Sequence, residues 1–121
     1  MNKTYYHGTS RSSFPLHAGL CLAESYKVAA EYADELAGET AVYAVEIDED
    51  CLSWDRVPVS NADRDAQNWP GDRDPEALSQ RLGVLAVWYE DETPMGHPHD
   101  TLRLLTTGSL DAIVSVCVVT E

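Results

Sequence analysis

The sequence lacks an apolar stretch long enough to span a bilayer, and its first residues, MNKTYYHG, contain no hydrophobic segment of a secretory signal. We therefore expect a cytoplasmic protein without a membrane partner. Cysteine is scarce, since Cys21, Cys51 and Cys117 are odd in number, stand far apart and form no C-x-x-C pair. This pattern predicts reduced thiols rather than a disulfide framework or a zinc site, with Cys117 in a buried strand.

Basic residues are also few, because eight Lys and Arg stand against 21 Asp and Glu, which gives a net charge of −13. A nucleic-acid backbone repels such a chain, so direct nucleic-acid binding is not expected. Two explanations of the charge fit equally well, attraction to a basic partner surface or solubility alone. The length of 121 residues and the 44% of hydrophobic residues predict one domain over residues 1–121.

Short apolar runs between turn-forming residues predict a domain rich in strands. Strands are predicted over residues 4–7, 19–23, 41–47, 84–89, 101–105 and 112–119, with a further short one near 57–59. Polar stretches predict loops over 8–18, 48–73 and 90–100. Loops as long as the second are uncommon in compact domains, which favours a functional role for it.

Two segments have the pattern of helices. Apolar residues at helical spacing predict a principal helix over residues 25–37, which begins at the N-cap Ser25 and ends at Gly38. The pair Asp74-Pro75, followed by a glycine at the other end, predicts a short helix over 75–82. Strands and two helices together predict an α+β protein.

The order of three short motifs is the most informative feature of the sequence. TYYHGTS, residues 4–10, ends a β-prone run in a His-Gly-Thr turn, and GLCLA follows at residues 19–23. A helix with Ala29, Ala30 and Tyr32 comes next, and the strand AVYAVEI follows it. In this order the chain resembles the histidine class of ADP-ribosyltransferases, which includes the catalytic domains of poly-ADP-ribose polymerases.

The end of the chain strengthens this resemblance. Residues 83–119 are similar to the closing segment of small bacterial and phage members of the class, among them an anti-CRISPR ADP-ribosyltransferase. The resemblance implies a single ADP-ribosyltransferase-like domain, built on a mainly antiparallel, split β-sheet. It also implies an enzyme that cleaves NAD⁺ between nicotinamide and ribose and transfers one ADP-ribose to a protein. No metal is needed for this reaction.

The resemblance also implies a partner. The acidic surface would dock on a basic patch of the target, such as a nucleic-acid-binding subunit, without contacting nucleic acid directly. A phage-encoded inhibitor of a bacterial defence complex, acting in the host cytoplasm, fits this description. Residues 48–73 are the predicted target-recognising loop.

The resemblance assigns a role to each NAD⁺-binding position. The histidine holds a ribose hydroxyl, the glycine backbone holds the nicotinamide carboxamide, and the tyrosine of the helix stacks on the nicotinamide ring. An arginine after the His-Gly-Thr turn would contact the pyrophosphate. On this chain the assigned residues are His7, Gly8, Thr9, Tyr32, Cys21 and Arg11.

The catalytic carboxylate has three candidates. Breaking the nicotinamide bond creates an oxocarbenium-like cation, which a carboxylate stabilises. Matching the small phage-like members through WYEDE gives Asp91 first and Glu92 second, and only one of these neighbours can face the cleft. Matching the polymerase pattern gives Asp100 third. His7 completes the predicted catalytic set with the preferred carboxylates.

Two positions depart from the polymerase pattern. Cys21 stands where the triad carries its first tyrosine, and Ala29 stands where a serine bonds the carboxamide. Both changes favour a single transfer over polymer formation. They also leave two alternatives open, an NAD⁺ glycohydrolase and a catalytically inactive acidic module that blocks a basic nucleic-acid-binding surface. The pair His97 and His99 is interpreted as loop polarity rather than as metal ligands.

Overall fold

The computed structural model describes residues 2–10, 16–36, 38–57 and 74–119. Within these residues the chain is an α+β protein with seven strands and two helices. Two short 3₁₀ turns also occur, at Glu49–Cys51 and Gly108–Ala112. In chain order the elements are β1 (Asn2–Ser10), β2 (Cys21–Ala23), α1 (Tyr26–Asp34), β3 (Thr40–Asp48), β4 (Trp54–Arg56), α2 (Pro75–Leu82), β5 (Ala86–Glu92), β6 (Pro98–Leu104) and β7 (Ile113–Val119).

The strands form one mostly antiparallel sheet in the order β4-β5-β6-β2-β1-β3-β7, in which only β4 and β5 run parallel. The pairing is uneven along this order. β1 pairs with β3 at nine positions, whereas it pairs with β2 only through Tyr6 and Ala23. The sheet therefore has a narrow junction at its centre, and β1 and β2 separate on either side of that pair.

Three strands, β1, β5 and β6, each extend three residues into a segment predicted as a loop. β1 continues through Gly8 to Ser10, where a loop is predicted, because these residues pair with Val42, Ala41 and Thr40 of β3. β5 and β6 likewise extend into the predicted loop over 90–100 and leave only residues 93–97 as the turn. In β1 a pairing partner far along the chain decides the conformation of a polar segment, whereas residues 90–92 and 98–100 pair with each other across the turn. The short strand predicted near 57–59 falls mostly among residues 58–73, which lie outside the described residues; a three-residue strand is observed before it, at Trp54–Arg56.

The helix ends follow from local chemistry where the sequence offers it. The hydroxyl of Ser25 accepts from the Val28 N–H at 3.2 Å and begins α1 as predicted. α1 ends earlier than predicted, at Asp34, and Leu36, which the apolar spacing places on its buried face, is 44% exposed. The predicted bounds of α2 are observed, with Asp74 as its N-cap and Gly83 after its end in the left-handed region at φ +71°.

Two faces of the sheet carry separate apolar clusters. On one face, Tyr5, Val45 and Leu102 belong to the main core, which the residues around the two 3₁₀ turns complete. Alternate strand residues face the other way, where Ala29 of α1 packs near Val42. α2 covers the same face further along the sheet. We call this second side the helix face.

β7 is the edge strand next to β3, and the thiol of its Cys117 does not lie in the core. The prediction of a buried Cys117 is wrong, because this residue is exposed on the sheet edge together with Val114 and Val118. Cys21, Cys51 and Cys117 are all free thiols. Within the described residues, neither helix has the length and apolar character that crossing a membrane requires.

Candidate active site

A cleft of about 200 Å³ opens on the helix face, at the point where β1 and β2 separate. α1 forms one wall and the β5–β6 hairpin forms the other. The cleft is smaller than the ~300–1,000 Å³ of typical ligand pockets, so it accommodates one ring-sized group rather than a whole dinucleotide. Its lining residues are Tyr6, His7, Gly8, Cys21, Leu22, Ala23, Ala29, Tyr32, Tyr89, Asp91, His99 and Thr101.

His7 bridges the gap between the two separating strands. Its Nδ1 lies 2.7 Å from the carbonyl oxygen of Cys21. Because a carbonyl can only accept, Nδ1 carries the proton, and Nε2 is the acceptor nitrogen of the neutral ring. Burial lowers the pKa of His7, and the bond to the Cys21 carbonyl opposes that shift. The ring is therefore neutral at pH 7.

Gly8 is required by the packing of α1 against β1. A Cβ at this position would lie 1.9 Å from the carbonyl oxygen of Ala29. This glycine was predicted to hold a ligand through its backbone, but the close approach of α1 is a reason for it within the protein itself. Any side chain here would push the helix, and with it one wall of the cleft, away from the sheet.

The peptide groups of Gly8 face the gap between β1 and β2. The Leu20 carbonyl accepts from the Leu104 N–H of β6 at 2.9 Å. Since successive strand residues direct their peptide groups to opposite neighbours, the Cys21 carbonyl points to β1, where it meets His7. Through the Tyr6–Ala23 pair, the same alternation directs the N–H and C=O of Gly8 toward the gap.

Tyr32 and His99 join the two walls of the cleft. The Tyr32 hydroxyl lies 2.7 Å from His99 Nε2 and 3.0 Å from the Glu92 carbonyl oxygen. The Tyr32 and His99 rings meet edge to face, with centroids 5.5 Å apart. Burial and the charge of Asp91 raise the pKa of Tyr32, so its hydroxyl stays protonated. These contacts fix the ring at the junction of helix and hairpin.

Asp91 is the carboxylate of the cleft. It pairs in register with His99 across the hairpin, and its Oδ1 accepts from the Glu92 N–H at 2.7 Å. Its charge contributes to the raised pKa values of Tyr32 and Tyr89. The hairpin thus holds one acidic side chain opposite the tyrosine of α1.

Cys21 forms part of the cleft floor as a neutral thiol. Burial raises its pKa, and the contact with Tyr89 and the positive charge of Arg103 oppose the shift. The sulfur lies 3.8 Å from the Tyr89 hydroxyl and 3.6 Å from the carbonyl oxygen of Gly19. A protonated thiol in this position is a weak nucleophile.

Three predicted residues lie outside the cleft. Thr9 pairs with Ala41 in β3, and it is not among the described residues that line the cleft. The side chain of Glu92 faces away from the cleft, because neighbouring strand residues face opposite sides of the sheet and Asp91 faces the cleft. Glu92 contributes only its backbone carbonyl, which accepts from the Tyr32 hydroxyl. Asp100 lies on the other face of the sheet, where it forms a two-pronged ion pair with Arg56 at 2.8 and 3.2 Å. Arg11 lies outside the described residues.

His99 is a cleft residue that the sequence pattern does not predict, because the prediction of a loop over 90–100 hides the pairing of Asp91 with His99. The signal lies in the hairpin, because a turn centred on Met95 places these two residues opposite each other and on one face. His97 makes a different contact, a 2.8 Å hydrogen bond from its Nδ1 to the Glu31 carboxylate. Among the described residues no three His, Cys, Asp or Glu side chains are grouped to hold a metal ion.

No protein-family model, curated protein or solved structure matches the chain. The function therefore has to be inferred from the cleft itself and from the sequence motifs that led to it.

Proposed function

We propose that the protein transfers a single ADP-ribose from NAD⁺ to a protein target, with the nicotinamide end of NAD⁺ bound in the cleft. One observation carries the proposal. Five residues that the sequence resemblance assigns to this reaction come from four separate elements, and all five line one cleft. They are His7, Gly8, Cys21, Tyr32 and Asp91. The narrow junction of β1 and β2 also supports the split sheet that the resemblance implies.

The cleft fits nicotinamide in size and in polarity. Its volume of about 200 Å³ suits one aromatic ring with its carboxamide. An amide needs one donor and one acceptor, and the N–H and C=O of Gly8 face the gap as such a pair. The Tyr32 ring supplies the aromatic wall against which the nicotinamide stacks. His99 holds this ring through its hydroxyl and so acts as a positioning residue.

The proposed reaction breaks the bond between the ribose C1′ and the nicotinamide nitrogen. The bonding electron pair leaves with nicotinamide, which becomes neutral, and C1′ becomes part of an oxocarbenium-like cation. The Asp91 carboxylate stabilises this cation. His7 orients the substrate by accepting a hydrogen bond from a ribose hydroxyl at Nε2. A side chain of the target then attacks C1′, and its proton passes to Asp91.

The proposal is tested by labelling a bacterial lysate with biotin-tagged NAD⁺ in the presence of the protein. Asp91→Asn removes the charge but keeps an oxygen that can accept from the Glu92 N–H. Glu90→Gln is the matched control, because Glu90 is an exposed residue of the same strand. We expect a discrete labelled protein with the wild type and with Glu90→Gln, and none with Asp91→Asn. Equal labelling by Asp91→Asn would contradict the proposed role of this carboxylate.

A pair of histidine variants separates the two ring nitrogens. Asparagine mimics Nδ1 and can still donate to the Cys21 carbonyl, whereas glutamine mimics Nε2. If His7 acts through Nε2, His7→Gln retains more labelling than His7→Asn. The opposite order would show that the bond to Cys21 is what matters.

A second candidate function, an inactive acidic binding module, is favoured by the neutral lining at Cys21 and Ala29. Neither side chain offers a strong hydrogen bond to a carboxamide. In this case neither labelling nor nicotinamide release occurs, and association with a basic partner requires no NAD⁺ and falls steeply with salt. Nicotinamide release without a labelled protein would instead indicate an NAD⁺ glycohydrolase.

A further inference from the structure

A second groove, of about 290 Å³, lies on the sheet face opposite the cleft. Asp100 and Leu102 of β6 line it, and they alternate along the strand with the cleft residues His99 and Thr101. Two tryptophans, Trp54 on β4 and Trp88 on β5, also line this groove. We call it the aromatic groove.

The charges of the aromatic groove are not balanced. Lys3 is paired with Glu24 at 2.9 Å, and Arg56 is paired with Asp100 at 2.8 Å. A further carboxylate, Glu49, accepts from the Tyr5 hydroxyl at 2.6 Å and meets no cation among the residues that the structure describes. Since Tyr5 is buried in the main core, this bond holds the Glu49 carboxylate at the groove while leaving it capacity for further donors.

Trp54 presents an aromatic surface beside this charge. It is 54% exposed and belongs to a three-residue edge strand with no buried residue. The neighbouring Trp88 is partly buried, with its ring centroid 5.8 Å from that of Tyr5. The groove thus has a firm aromatic floor and an exposed indole at its margin. Half-exposed tryptophan next to a concave surface is typical of the residues that dominate protein interfaces.

We propose that the aromatic groove binds an arginine side chain of a protein partner, with the guanidinium ion-paired to Glu49 and stacked on Trp54. A guanidinium is flat, stacks on indole rings and binds carboxylates through two parallel hydrogen bonds. A net charge of −13 attracts a basic segment to this surface from solution. The identification of that partner with the acceptor of ADP-ribose rests on the proposed function, whereas the binding itself needs no NAD⁺.

The test is an NMR titration of the full chain with a tetra-arginine peptide, read from the indole N–H signals. We expect saturable shifts of the Trp54 and Trp88 signals, and at least about threefold weaker binding of a tetra-lysine peptide. Glu49→Gln and Trp54→Ala are expected to weaken tetra-arginine binding by at least about fivefold. Both variants should fold, because glutamine still accepts from Tyr5 and Trp54 is half exposed.

Glu39→Gln is the control for overall charge. Glu39 is exposed and precedes the start of β3, at the opposite end of that strand from Glu49. Equal weakening in Glu39→Gln and Glu49→Gln would overturn the proposal, because attraction would then depend on net charge alone. Unsaturable shifts, or equal binding of the two peptides, would also overturn it. Because NAD⁺ is absent, failure here is distinguishable from failure of the labelling experiment.

Discussion

Replacing Gly8 with alanine should destabilise the protein strongly, because the added methyl group has no space. Its Cβ would lie 1.9 Å from the carbonyl oxygen of Ala29, 2.9 Å from its carbonyl carbon and 3.1 Å from the amide nitrogen of Ala33. Since real Cβ contacts stay beyond 3.0 Å, α1 and β1 would have to separate by about 1 Å.

The cost follows from what has to move. Inserting a methylene group into a packed core costs about 1–3 kcal/mol when side chains can adjust. Here the obstacle is helix backbone, which cannot rotate away, and a shift of α1 would also loosen Ala29 and Ala33 near Val42. We therefore expect Gly8→Ala to lower the free energy of unfolding by about 3 kcal/mol or more, a large share of the ~5–15 kcal/mol of a typical domain.

Urea denaturation followed by circular dichroism measures this free energy, and two other glycines calibrate it. Gly83 has open space around its Cβ position but a φ of +71°, so Gly83→Ala should cost about 1–2 kcal/mol through backbone strain alone. Gly108 has neither problem, and alanine there should change stability by less than about 1 kcal/mol. If Gly8→Ala is no more destabilising than Gly83→Ala, α1 does not lie against β1 as described.

Three further predictions test the residues around the cleft. Folding lowers the pKa of His7 from its ordinary value of 6.5, so the unfolded chain binds more protons at this residue than the folded chain does. The free energy of unfolding should therefore fall as the pH drops from about 7.5 toward the folded pKa. The urea midpoint of His7→Asn should not show this pH dependence. A midpoint of His7→Asn that falls with pH as steeply as that of the wild type would contradict this role of His7. Tyr32→Phe removes the hydroxyl bonded to His99 and should cost about 1 kcal/mol, yet retain more nicotinamide release than Tyr32→Ala, which also loses the ring; equal release by both variants would argue against stacking. Ser25→Ala should cost about 1 kcal/mol of unfolding free energy through loss of the N-cap, against near-neutral Lys27→Ala on the exposed side of the same helix, and similar values for the two would contradict the cap.

Local signals in the sequence predict the ends of α2, because Asp74, Pro75 and Gly83 act on neighbouring backbone groups. The end of β1 has no such signal. Gly8 is strand because Val42 lies beside it, and that partner is more than thirty residues away. The hairpin extends into the stretch 90–100 for a different reason, because residues 90–92 and 98–100 pair with each other, although their polar side chains resemble a loop when considered alone.

The residues of the candidate site divide in the same way, into those that sequence motifs indicate and those that depend on strand pairing. Motif order groups His7, Tyr32 and Asp91 in the sequence, and the fold brings these three residues together in the lining of one cleft. The choice between Asp91 and Asp100 depended on register, which the sequence did not determine. Once Glu90 pairs with Asp100 and Asp91 with His99, alternation directs Asp91 to the helix face and Asp100 to the opposite face. His99 follows from the same register.

The charge state of the cleft limits which of its groups can act on a cation. Burial raises the pKa of Cys21, Tyr32 and Tyr89, so none of them supplies a thiolate or phenolate at neutral pH. Asp91 is the only carboxylate among the described lining residues. In the proposed reaction the positive charge moves from the nicotinamide ring to the ribose. Asp91 therefore accelerates the reaction only if its carboxylate lies closer to the ribose than to the ring, because it then stabilises the transition state more than bound NAD⁺. Asp91→Asn should then lower kcat more than it raises KM, whereas a carboxylate that serves only to attract NAD⁺ would produce the reverse.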